Sequence, residues 1–365
     1  MPRIVVFPGD GVGPEVVAEA IKVLSAAERR FGYRFEIESH AIGGDALDRF
    51  GIPLRTEDIE SARRAGAALL GAVGGPKWEA IEPALRPERG LLQIRKELGL
   101  FANLRPVSVL PALVASSPLK PEIITDVDLL VVRELTGGIY FGEPSRRWND
   151  DDGRVAVDTL IYREHEIERI VRLAFELAGS RRGRLASVDK SNVLQSSRLW
   201  REIANEVASE FPEVQLQHVL VDTMAMHLIK NPREFDVIVT ENMFGDILTD
   251  EASVIPGSIG LLPSASLSDR TGTAPGTHFG LYEPIHGSAP DIAGQGKANP
   301  AGAILSTALM LRWSFALGDV ASAIEKAVFD TIAAGMRTRD IIQPGSDAVS
   351  TAEFGDEVAR RVEVL

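Results

Sequence analysis

The feature that most constrains the fold of this chain is the alternation of strand and helix patterns along it. Residues 3–7 form a short apolar run that ends at Pro8 and Gly9, and residues 14–27 then carry apolar side chains at helical spacing. Similar apolar runs predict strands or extended segments farther along, at residues 33–39, 67–73, 103–109, 129–133, 184–189, 214–222 and 236–240. Helical spacing predicts helices at residues 90–98, 164–178, 196–209, 245–252, 301–315 and 320–334. Such alternation is typical of an α/β fold with parallel strands.

Two segments depart from this alternation. Residues 256–275 are rich in glycine, proline and serine, which predicts a crossing between two domains, followed by a mostly helical remainder. Two domains around a cleft also suit a length of 365 residues, which is long for a single core. Residues 138–162 have few helix signals, and the turn-forming run 149–153 predicts a β-hairpin arm. This arm could pack within the subunit or reach across a dimer, and the pattern favours neither.

The composition excludes several classes of function. Acidic residues outnumber basic ones 52 to 39, and this net charge of −13 argues against non-specific nucleic-acid binding, which needs a positive surface. The absence of cysteine excludes disulfides, thiolate nucleophiles and zinc–thiolate sites. The N-terminal residues lack a signal-peptide pattern, and the apolar stretches are too short or too interrupted to span a bilayer. We therefore expect a cytoplasmic enzyme without a nucleic-acid or membrane partner.

Three aspartates form a candidate metal site. Asp246 and Asp250 stand one helical turn apart, so that both carboxylates lie on one face of a predicted helix. Asp222 closes the apolar run 219–221, where a carboxylate at a strand end would face a cleft. Carboxylates without nearby histidine or cysteine favour a hard ion such as Mg²⁺ or Mn²⁺. The alternative interpretation is that these are solvated surface acids.

Three arginines form a candidate anion-binding set. Arg95, Arg105 and Arg133 each follow or end an apolar segment, and guanidinium groups bind carboxylates through paired hydrogen bonds. Together they could hold a dicarboxylate, although ordinary surface arginines would show the same spacing. Leu91 and Leu92 precede Arg95 on the same predicted helix, where they line either an apolar pocket or the core.

A nucleotide site is suggested by one loop and not by another. The run GDGVGP at residues 9–14 fails the Rossmann fingerprint, because proline stands where the third glycine is required. The run EPIHGSAPDIAG at 283–294, continuing to Asn299, is a better candidate, since its small residues let backbone N–H groups approach a diphosphate. Asp291 could accept hydrogen bonds from a ribose hydroxyl. A purely structural loop is the alternative.

Two further side chains are candidates for proton transfer. Tyr140 lies in the glycine-bounded run 136–142, and Lys190 follows the predicted strand that ends at residue 189. Burial or neighbouring charges can shift the pKa of a tyrosine or a lysine into a useful range. Taken singly, each could instead be structural.

Six longer stretches together resemble the isocitrate/isopropylmalate dehydrogenase family of β-decarboxylating dehydrogenases. The resemblance runs from residue 4 to about residue 362. The most specific stretches are GGPKW (74–78), RGLLQIRKELGLFANLRPV (89–107), RELTGGIYFGEP (133–144), DKSNVL (189–194), ENMFGDILTDEAS (241–253) and EPIHGSAPDIAG (283–294).

This resemblance implies a fold and a domain division. The fold would be the family's two-domain α/β fold, which is not a Rossmann fold and carries a β-hairpin arm in its second domain. The first domain would comprise residues 1–104 and 257–365, contain both termini and bind NAD. The second domain, residues 105–256, would supply the dimer interface, the arm and the metal ligands.

The resemblance also implies a role for each candidate residue. Tyr140 and Lys190 match the proton-transfer pair, and Asp222, Asp246 and Asp250 match the ligands of Mg²⁺ or Mn²⁺. Asp222 and Lys190 would come from the facing subunit of a homodimer with shared active sites. Substrate contacts match Glu88, Leu91, Leu92, Arg95, Arg105, Arg133, Val193 and Asp222. The NAD site matches Gly75, Glu283, His286, Gly287, Ser288, Ala289, Pro290, Asp291, Ile292 and Asn299.

Two departures within the family indicate specificity. Leu91 and Leu92 stand where isocitrate dehydrogenases carry serine and asparagine, which favours an apolar substrate group. Asp291 and Ile292 replace the lysine and tyrosine of NADP-specific relatives. The resemblance thus implies NAD-linked oxidation and decarboxylation of 3-isopropylmalate in leucine biosynthesis. Alternatives are a sister enzyme acting on homoisocitrate, tartrate or malate, a metal-dependent decarboxylase without redox chemistry, and a non-catalytic binding protein.

Overall fold

The computed structural model describes residues 1–273, 277–343 and 345–365 of the chain, which form twelve strands and twelve α-helices within these ranges. The strands are β1 (Arg3–Gly9), β2 (Glu36–Ser39), β3 (Ala67–Ala72), β4 (Leu100–Ser108), β5 (Asp128–Glu134), β6 (Arg146–Asp150), β7 (Gly153–Val157), β8 (Arg184–Asp189), β9 (Gln215–Leu220), β10 (Val237–Thr240), β11 (Pro263–Thr271) and β12 (His278–Pro284). The helices are α1 (Gly13–Phe31), α2 (Gly43–Phe50), α3 (Thr56–Arg64), α4 (Pro87–Glu97), α5 (Pro121–Ile124), α6 (Glu164–Gly179), α7 (Gln195–Ala208), α8 (Val221–Lys230), α9 (Asn242–Ser253), α10 (Ala301–Phe315), α11 (Gly318–Ala333) and α12 (Thr351–Val364). Among these described helices, none combines the length and hydropathy that a bilayer-spanning segment requires.

The chain divides into two compact units. The first unit comprises Met1–Leu100, Leu110–Pro118 and Pro256–Leu365, and the second comprises Phe101–Val109 and Leu119–Ile255. The predicted second domain comprised residues 105–256, whereas the second unit also contains residues 101–104 and leaves out residues 110–118 and Pro256. Arg337 donates a hydrogen bond to the carbonyl of Ala112, so this segment is held by the first unit.

The first unit is built on five strands in the order β2-β1-β3-β12-β11. The first four are parallel to one another, and β11 runs antiparallel to β12. Helix α10 is buried along almost its whole length and contacts α1, α11 and β12, because its apolar residues occur on all sides. These contacts form the core of the unit.

The interpretation of residues 256–275 as a domain crossing is correct only at its start. The units change between Ile255 and Pro256, but β11 (Pro263–Thr271) then occupies nearly half of the segment, and β12 precedes the helices of the mostly helical remainder. The first six residues of β11 are buried, and the hydroxyls of Ser264 and Ser268 donate to backbone carbonyls of β12. Because many residues of β11 are small and polar, the sequence pattern did not predict this buried strand. Residues 274 and 275 lie outside the described residues.

The second unit repeats the pattern with five strands in the order β4-β5-β10-β8-β9. Four of these strands are parallel, and β4 is antiparallel to β5. Strands β6 and β7 form a separate antiparallel hairpin closed by residues 151 and 152, so the predicted hairpin is confirmed. The expected extended segment 214–222 is too long, because β9 ends at Leu220 and Asp222 already belongs to the first turn of α8.

The loop after β1 is organised by one buried carboxylate. Asp10 accepts hydrogen bonds from the backbone N–H groups of Gly44, Asp45 and Gly74, each at 2.8 Å. The first two belong to the N-terminus of α2, where a negative charge is favourable, and the third follows β3. Asp10 thus joins three loops of the first unit.

Replacing Asp10 with alanine should lower the free energy of unfolding by about 3 kcal/mol, because buried backbone donors lose their acceptor. Urea denaturation followed by circular dichroism measures this difference. Asp45→Ala is a matched control, since the Asp45 side chain is partly exposed and pairs only with Arg49 on the same helix. Equal losses in both variants would contradict the role of Asp10.

Candidate active site

The second unit buries a guanidinium group at the end of β5. Arg133 is 3% exposed, and both Nε and Nη2 donate to the Oδ1 atom of Asn242, at 3.0 and 2.8 Å. Its Nη1 atom makes an ion pair with Asp246. A buried cation needs such partners, because an uncompensated charge in the interior is strongly destabilising. Strand β5 and helix α9 are therefore held together at this point.

Helix α9 presents the predicted pair of carboxylates on one face. The hydroxyl of Tyr140 donates to Asp246 Oδ2 at 2.9 Å, and Arg105 Nη1 lies 3.6 Å from Asp250 Oδ1. Arg105 also donates to the hydroxyl of Thr249 at 2.7 Å. The structure thus brings together two of the predicted arginines, two of the aspartates and the candidate tyrosine. All of them belong to the second unit.

The phenol of Tyr140 is electrostatically biased to keep its proton. Desolvation and, after it, the hydrogen bond to the Asp246 carboxylate together raise the pKa of Tyr140 to about 12. The side chain nevertheless remains 43% exposed, so it is accessible. At neutral pH this residue is a protonated, reachable donor.

Lys190 and Asp222 form a second, separate pair. Lys190 Nζ lies 2.6 Å from Asp222 Oδ1, and this hydrogen bond lowers the pKa of the Asp222 carboxyl. Within the described part of the chain, no three histidine or carboxylate side chains are close enough together to hold a metal ion. Asp222 thus does not join Asp246 and Asp250 in a single-chain cluster. The two aspartates of α9 still offer oxygen ligands of the type that Mg²⁺ and Mn²⁺ prefer.

The remaining predicted substrate residues lie mainly on α4 in the first unit. Glu88, Leu91, Leu92 and Arg95 share one helix face, because their spacing follows the helical repeat. Both leucines are partly exposed and Glu88 is exposed. The predicted contact Val193 belongs instead to the second unit, in the turn between β8 and α7, where it is exposed.

Arg95 on α4 is buried and oriented by a single carboxylate. Its Nη2 atom donates to Glu283 Oε1 at 2.7 Å, which ties α4 to the end of β12. The Nε atom of Arg95 is buried and has no hydrogen-bond partner among the described residues. The predicted cofactor residue Glu283 is therefore engaged by a predicted substrate residue.

The candidate nucleotide loop connects β12 to α10 and packs against the loop after β1. The backbone N–H of Val12 donates to the Ser288 carbonyl at 2.8 Å. A Cβ atom on Gly11 would lie 1.9 Å from that carbonyl oxygen, so only glycine permits this approach. Glu15 accepts hydrogen bonds from the backbone N–H groups of Gly294 and Gly296. Contacts from this turn and from the start of α1 thus hold the candidate nucleotide loop in place.

Two side chains of this loop differ in their freedom to bind a ligand. The Nε2 atom of His286 is buried without a partner among the described residues, and burial lowers the pKa of this imidazole, so it is neutral. A vacant buried ring nitrogen suits a loop that binds a polar ligand. Asn299 is already satisfied, since it caps α10 through the Ala301 N–H and donates to Asp340.

The other predicted cofactor residues lie along the same surface loops. Ala289 has a φ of 38°, in the left-handed region, which marks a strained turn. Gly75 follows β3 with a φ of 157°, and a Cβ atom at this position would lie 3.2 Å from the Trp78 ring. The remaining predicted positions of the loop, of which Ser288 alone is buried, are Gly287, Ser288, Pro290, Asp291 and Ile292.

A sequence profile of one protein family matches residues 3–358 of the chain. It describes the family Isocitrate/isopropylmalate dehydrogenase. The chain belongs to this family. The same conclusion follows from relatives of known name, which match the chain over nearly its whole length.

Two similar relatives are both named 3-isopropylmalate dehydrogenase. A 3-isopropylmalate dehydrogenase from Carboxydothermus hydrogenoformans is 56% identical over 99% of this chain and 94% of its own length. A 3-isopropylmalate dehydrogenase from Geobacillus kaustophilus is 57% identical over 99% and 95%. Among solved structures, an isocitrate dehydrogenase from Methylococcus capsulatus superposes with a TM-score of 0.86 at 32% identity, covering both chains completely. A β-decarboxylating dehydrogenase from Thermococcus kodakarensis has a TM-score of 0.80 at 36% identity, with 100% and 97% covered.

Sequence reasoning missed several residues that support this family site. Asn242 was not considered, although its amide contacts Arg133 directly. Glu134 and Tyr162 were also missed, and both are buried polar side chains that share a hydrogen bond of 3.2 Å. The available signal was weak: Glu134 follows an apolar strand next to Arg133, and Asn242 opens the helix that carries the aspartates.

Gly245 on α9 leaves no room for a side chain next to Arg133, so a substitution there tests the role of the arginine. A Cβ atom at this position would lie 2.6 Å from Arg133 Cγ, so Gly245→Ala should displace the arginine side chain. Because alanine favours helix formation, the fold should be retained. We expect the Kd for a malate-type dicarboxylic acid, measured by calorimetry, to rise about tenfold, which corresponds to roughly 1.4 kcal/mol.

Gly179→Ala is the matched control, because a Cβ atom there would make only ordinary contacts of 3.7 and 3.8 Å at the end of α6. An unchanged Kd in Gly245→Ala would mean that the arginine does not bind the ligand, or that it tolerates displacement.

Proposed function

We propose that this chain is an NAD-dependent 3-isopropylmalate dehydrogenase. It would oxidise and decarboxylate (2R,3S)-3-isopropylmalate to 4-methyl-2-oxopentanoate in leucine biosynthesis. The observation that carries this proposal is the cluster on α9, where Asp246 contacts both Arg133 and Tyr140, and Asp250, one turn later, pairs with Arg105. A cation for a substrate carboxylate, a protonated phenol and oxygen ligands are together the requirements of a metal-assisted oxidative decarboxylation. The names of the 56–57% identical relatives support the same activity.

The substrate would be recognised by charge and by an apolar surface. Arg95, Arg105 and Arg133 would bind the carboxylates of the malate moiety through paired hydrogen bonds. Leu91 and Leu92, partly exposed on the same helix face as Arg95, would contact the isopropyl group. Glu88, Val193 and Asp222 are proposed as further contacts. This apolar surface disfavours isocitrate, tartrate or malate as the main substrate, because it offers no hydrogen bond to an additional polar group.

The metal and the nucleotide would be held by residues already described. Asp246 and Asp250 would hold Mg²⁺ or Mn²⁺ together with Asp222 of a second copy, and the loop after β12 would hold NAD with Gly75. When bound, the metal supplies Lewis-acid polarisation of the substrate oxygens and NAD supplies the hydride acceptor. The vacant Nε2 of His286 and the exposed Asp291 support a nucleotide at this loop.

Two side chains would transfer protons to or from the substrate. Lys190 would help remove the proton of the substrate hydroxyl, directly or through water. Tyr140 would deliver a proton to the substrate carbon that loses CO₂, and its phenol is protonated and accessible at neutral pH. The Asp246 carboxylate orients this hydroxyl by accepting its hydrogen bond.

We propose a homodimer with shared sites, and the exposed surface of α8 and α9 supports it. Met226 and Ile229 on α8, Ile247 on α9 and Val254 directly after α9 are each about half exposed or more, which is unusual for large apolar side chains on two adjacent helices. The same two helices carry Asp222, Asp246 and Asp250. A second copy covering this face would add Lys190 and Asp222 to the partner's aspartates. We also propose a cytoplasmic location.

A substrate panel tests the activity. The purified protein with Mg²⁺ should reduce NAD in the presence of 3-isopropylmalate, detected by the absorbance of NADH. Isocitrate, tartrate and malate should give kcat/KM values lower by at least about tenfold, since each lacks the apolar group. Chelation of the metal should abolish activity, and Mg²⁺ or Mn²⁺ should restore it. A preference for isocitrate or NADP would refute the specificity, and decarboxylation without NADH would favour a non-redox decarboxylase.

Subunit complementation tests the shared site. Lys190→Ala and Tyr140→Phe should each be nearly inactive alone. When the two are mixed, unfolded and refolded together, half of the dimers combine both chains and each contains one intact site, so about a quarter of wild-type activity should return. Each variant refolded alone is the control. A mixture that stays at the level of the single variants would show that each chain uses its own Lys190.

A further inference from the structure

Asn242 is a fully buried amide whose two polar ends contact two different parts of the site. Its Oδ1 atom accepts hydrogen bonds from Nε and Nη2 of Arg133 at 3.0 and 2.8 Å. Its Nδ2 atom donates to the carbonyl of Gly137 at 3.1 Å. Gly137 immediately precedes the short 3₁₀ turn that carries Tyr140. One side chain thus links the anion-binding arginine to the loop of the proton donor.

The backbone of Asn242 is itself fixed. Its N–H donates to the Tyr162 hydroxyl at 2.9 Å, and that hydroxyl donates to the buried carboxylate of Glu134 at 3.2 Å. Glu134 in turn accepts the Gly137 N–H at 2.7 Å. The Glu241 carboxylate caps the first turn of α9 through the Phe244 N–H. Asn242 therefore cannot turn away without breaking several buried hydrogen bonds, each of which is costly to leave unmade.

Asp246, which also contacts Arg133, cannot fix the position of the guanidinium group alone. Asp246 is shared between the guanidinium group and the Tyr140 hydroxyl, and its carboxylate is partly exposed. Asn242 is neutral, so it orients the guanidinium without adding a second negative charge to that of Asp246. It therefore introduces no further carboxylate to compete with an anionic ligand for Arg133.

We propose that Asn242 is a positioning residue that holds the Arg133 guanidinium and the Tyr140 loop at a constant separation. The assignment rests on the proposed function, since it concerns the delivery of a proton to the substrate that Arg133 binds. Misplacement by about 1 Å of groups that must meet a bound substrate can reduce the rate by about 100-fold.

Hydrogen–deuterium exchange of the ligand-free protein tests the physical link without any assay of activity. Asn242→Ala should speed exchange by about tenfold or more at the amides of Phe141 and Gly142, which donate to the Gly138 carbonyl and close the Tyr140 turn. The Gly138 amide, which donates to the Ile161 carbonyl and anchors the start of the turn, should exchange faster by a similar factor. Amides of the β8 strand should not change. Asn103→Ala is the matched control, because Asn103 is another buried amide that accepts from an arginine of the set, Arg105, at 2.8 Å. Unchanged exchange in the turn of Asn242→Ala, or an equal increase in Asn103→Ala, would overturn the link.

A double-mutant cycle tests the consequence for the reaction. Asn242→Ala should lower kcat for 3-isopropylmalate about 10- to 100-fold. In the Tyr140→Phe background the same change should lower kcat much less, because the group that Asn242 positions is already absent. A residue needed only for folding would lower kcat by the same factor in both backgrounds, and that result would overturn the proposal.

Asn242→Asp separates the two contacts. Aspartate still accepts from Arg133 but cannot donate to the Gly137 carbonyl, and it cancels the guanidinium charge. We expect both a raised KM and a lowered kcat, whereas an unchanged KM would contradict the role of the neutral amide. Wild-type protein that forms no NADH with 3-isopropylmalate would refute the proposed function instead, and the exchange experiment would then still decide whether Asn242 couples the arginine to the loop.

Discussion

The withdrawal of arginine side chains from water is the constraint on which the rest of the site depends. Arg95, Arg105 and Arg133 are all buried, and a guanidinium group in the interior must find acceptors in fixed directions. Arg133 contacts Asn242 and Asp246 on α9, and these contacts hold the end of β5 against the helix that carries the aspartates. Arg95 finds Glu283, which fastens α4 to the end of β12. In each unit, therefore, a buried cation determines which secondary-structure elements meet.

Several charged side chains of the candidate site are paired with one another within one chain. Asp246 serves both Arg133 and Tyr140, and Lys190 is paired with Asp222, so these charges have partners before any ligand binds. The described residues of a single chain nevertheless gather no three metal-binding side chains. The exposed apolar side chains of α8 and α9 flank these aspartates, and this arrangement is the physical basis for proposing that a second copy completes the site.

The candidate nucleotide loop after β12 is held in place by the neighbouring turn after β1. The turn after β1 lacks the Rossmann glycines, yet Gly11 allows the backbone to approach Ser288 closely, and Glu15 receives two backbone N–H groups of the second loop. The first loop thus acts as a support. Asp10, inside this turn, accepts three backbone hydrogen bonds and orders the neighbouring loops.

The sequence by itself determined the features that depend on local periodicity and on residue chemistry. The α/β alternation, the hairpin and the common face of Asp246 and Asp250 are of this kind, because each needs only neighbours within a few residues. The tertiary structure decided what depends on distant partners. Strand β11 was concealed by its small polar residues, and Asn242 gained its importance only from Arg133, which is 109 positions away along the chain. A buried hydrogen bond leaves no periodic signal, so only the folded chain identifies its partners.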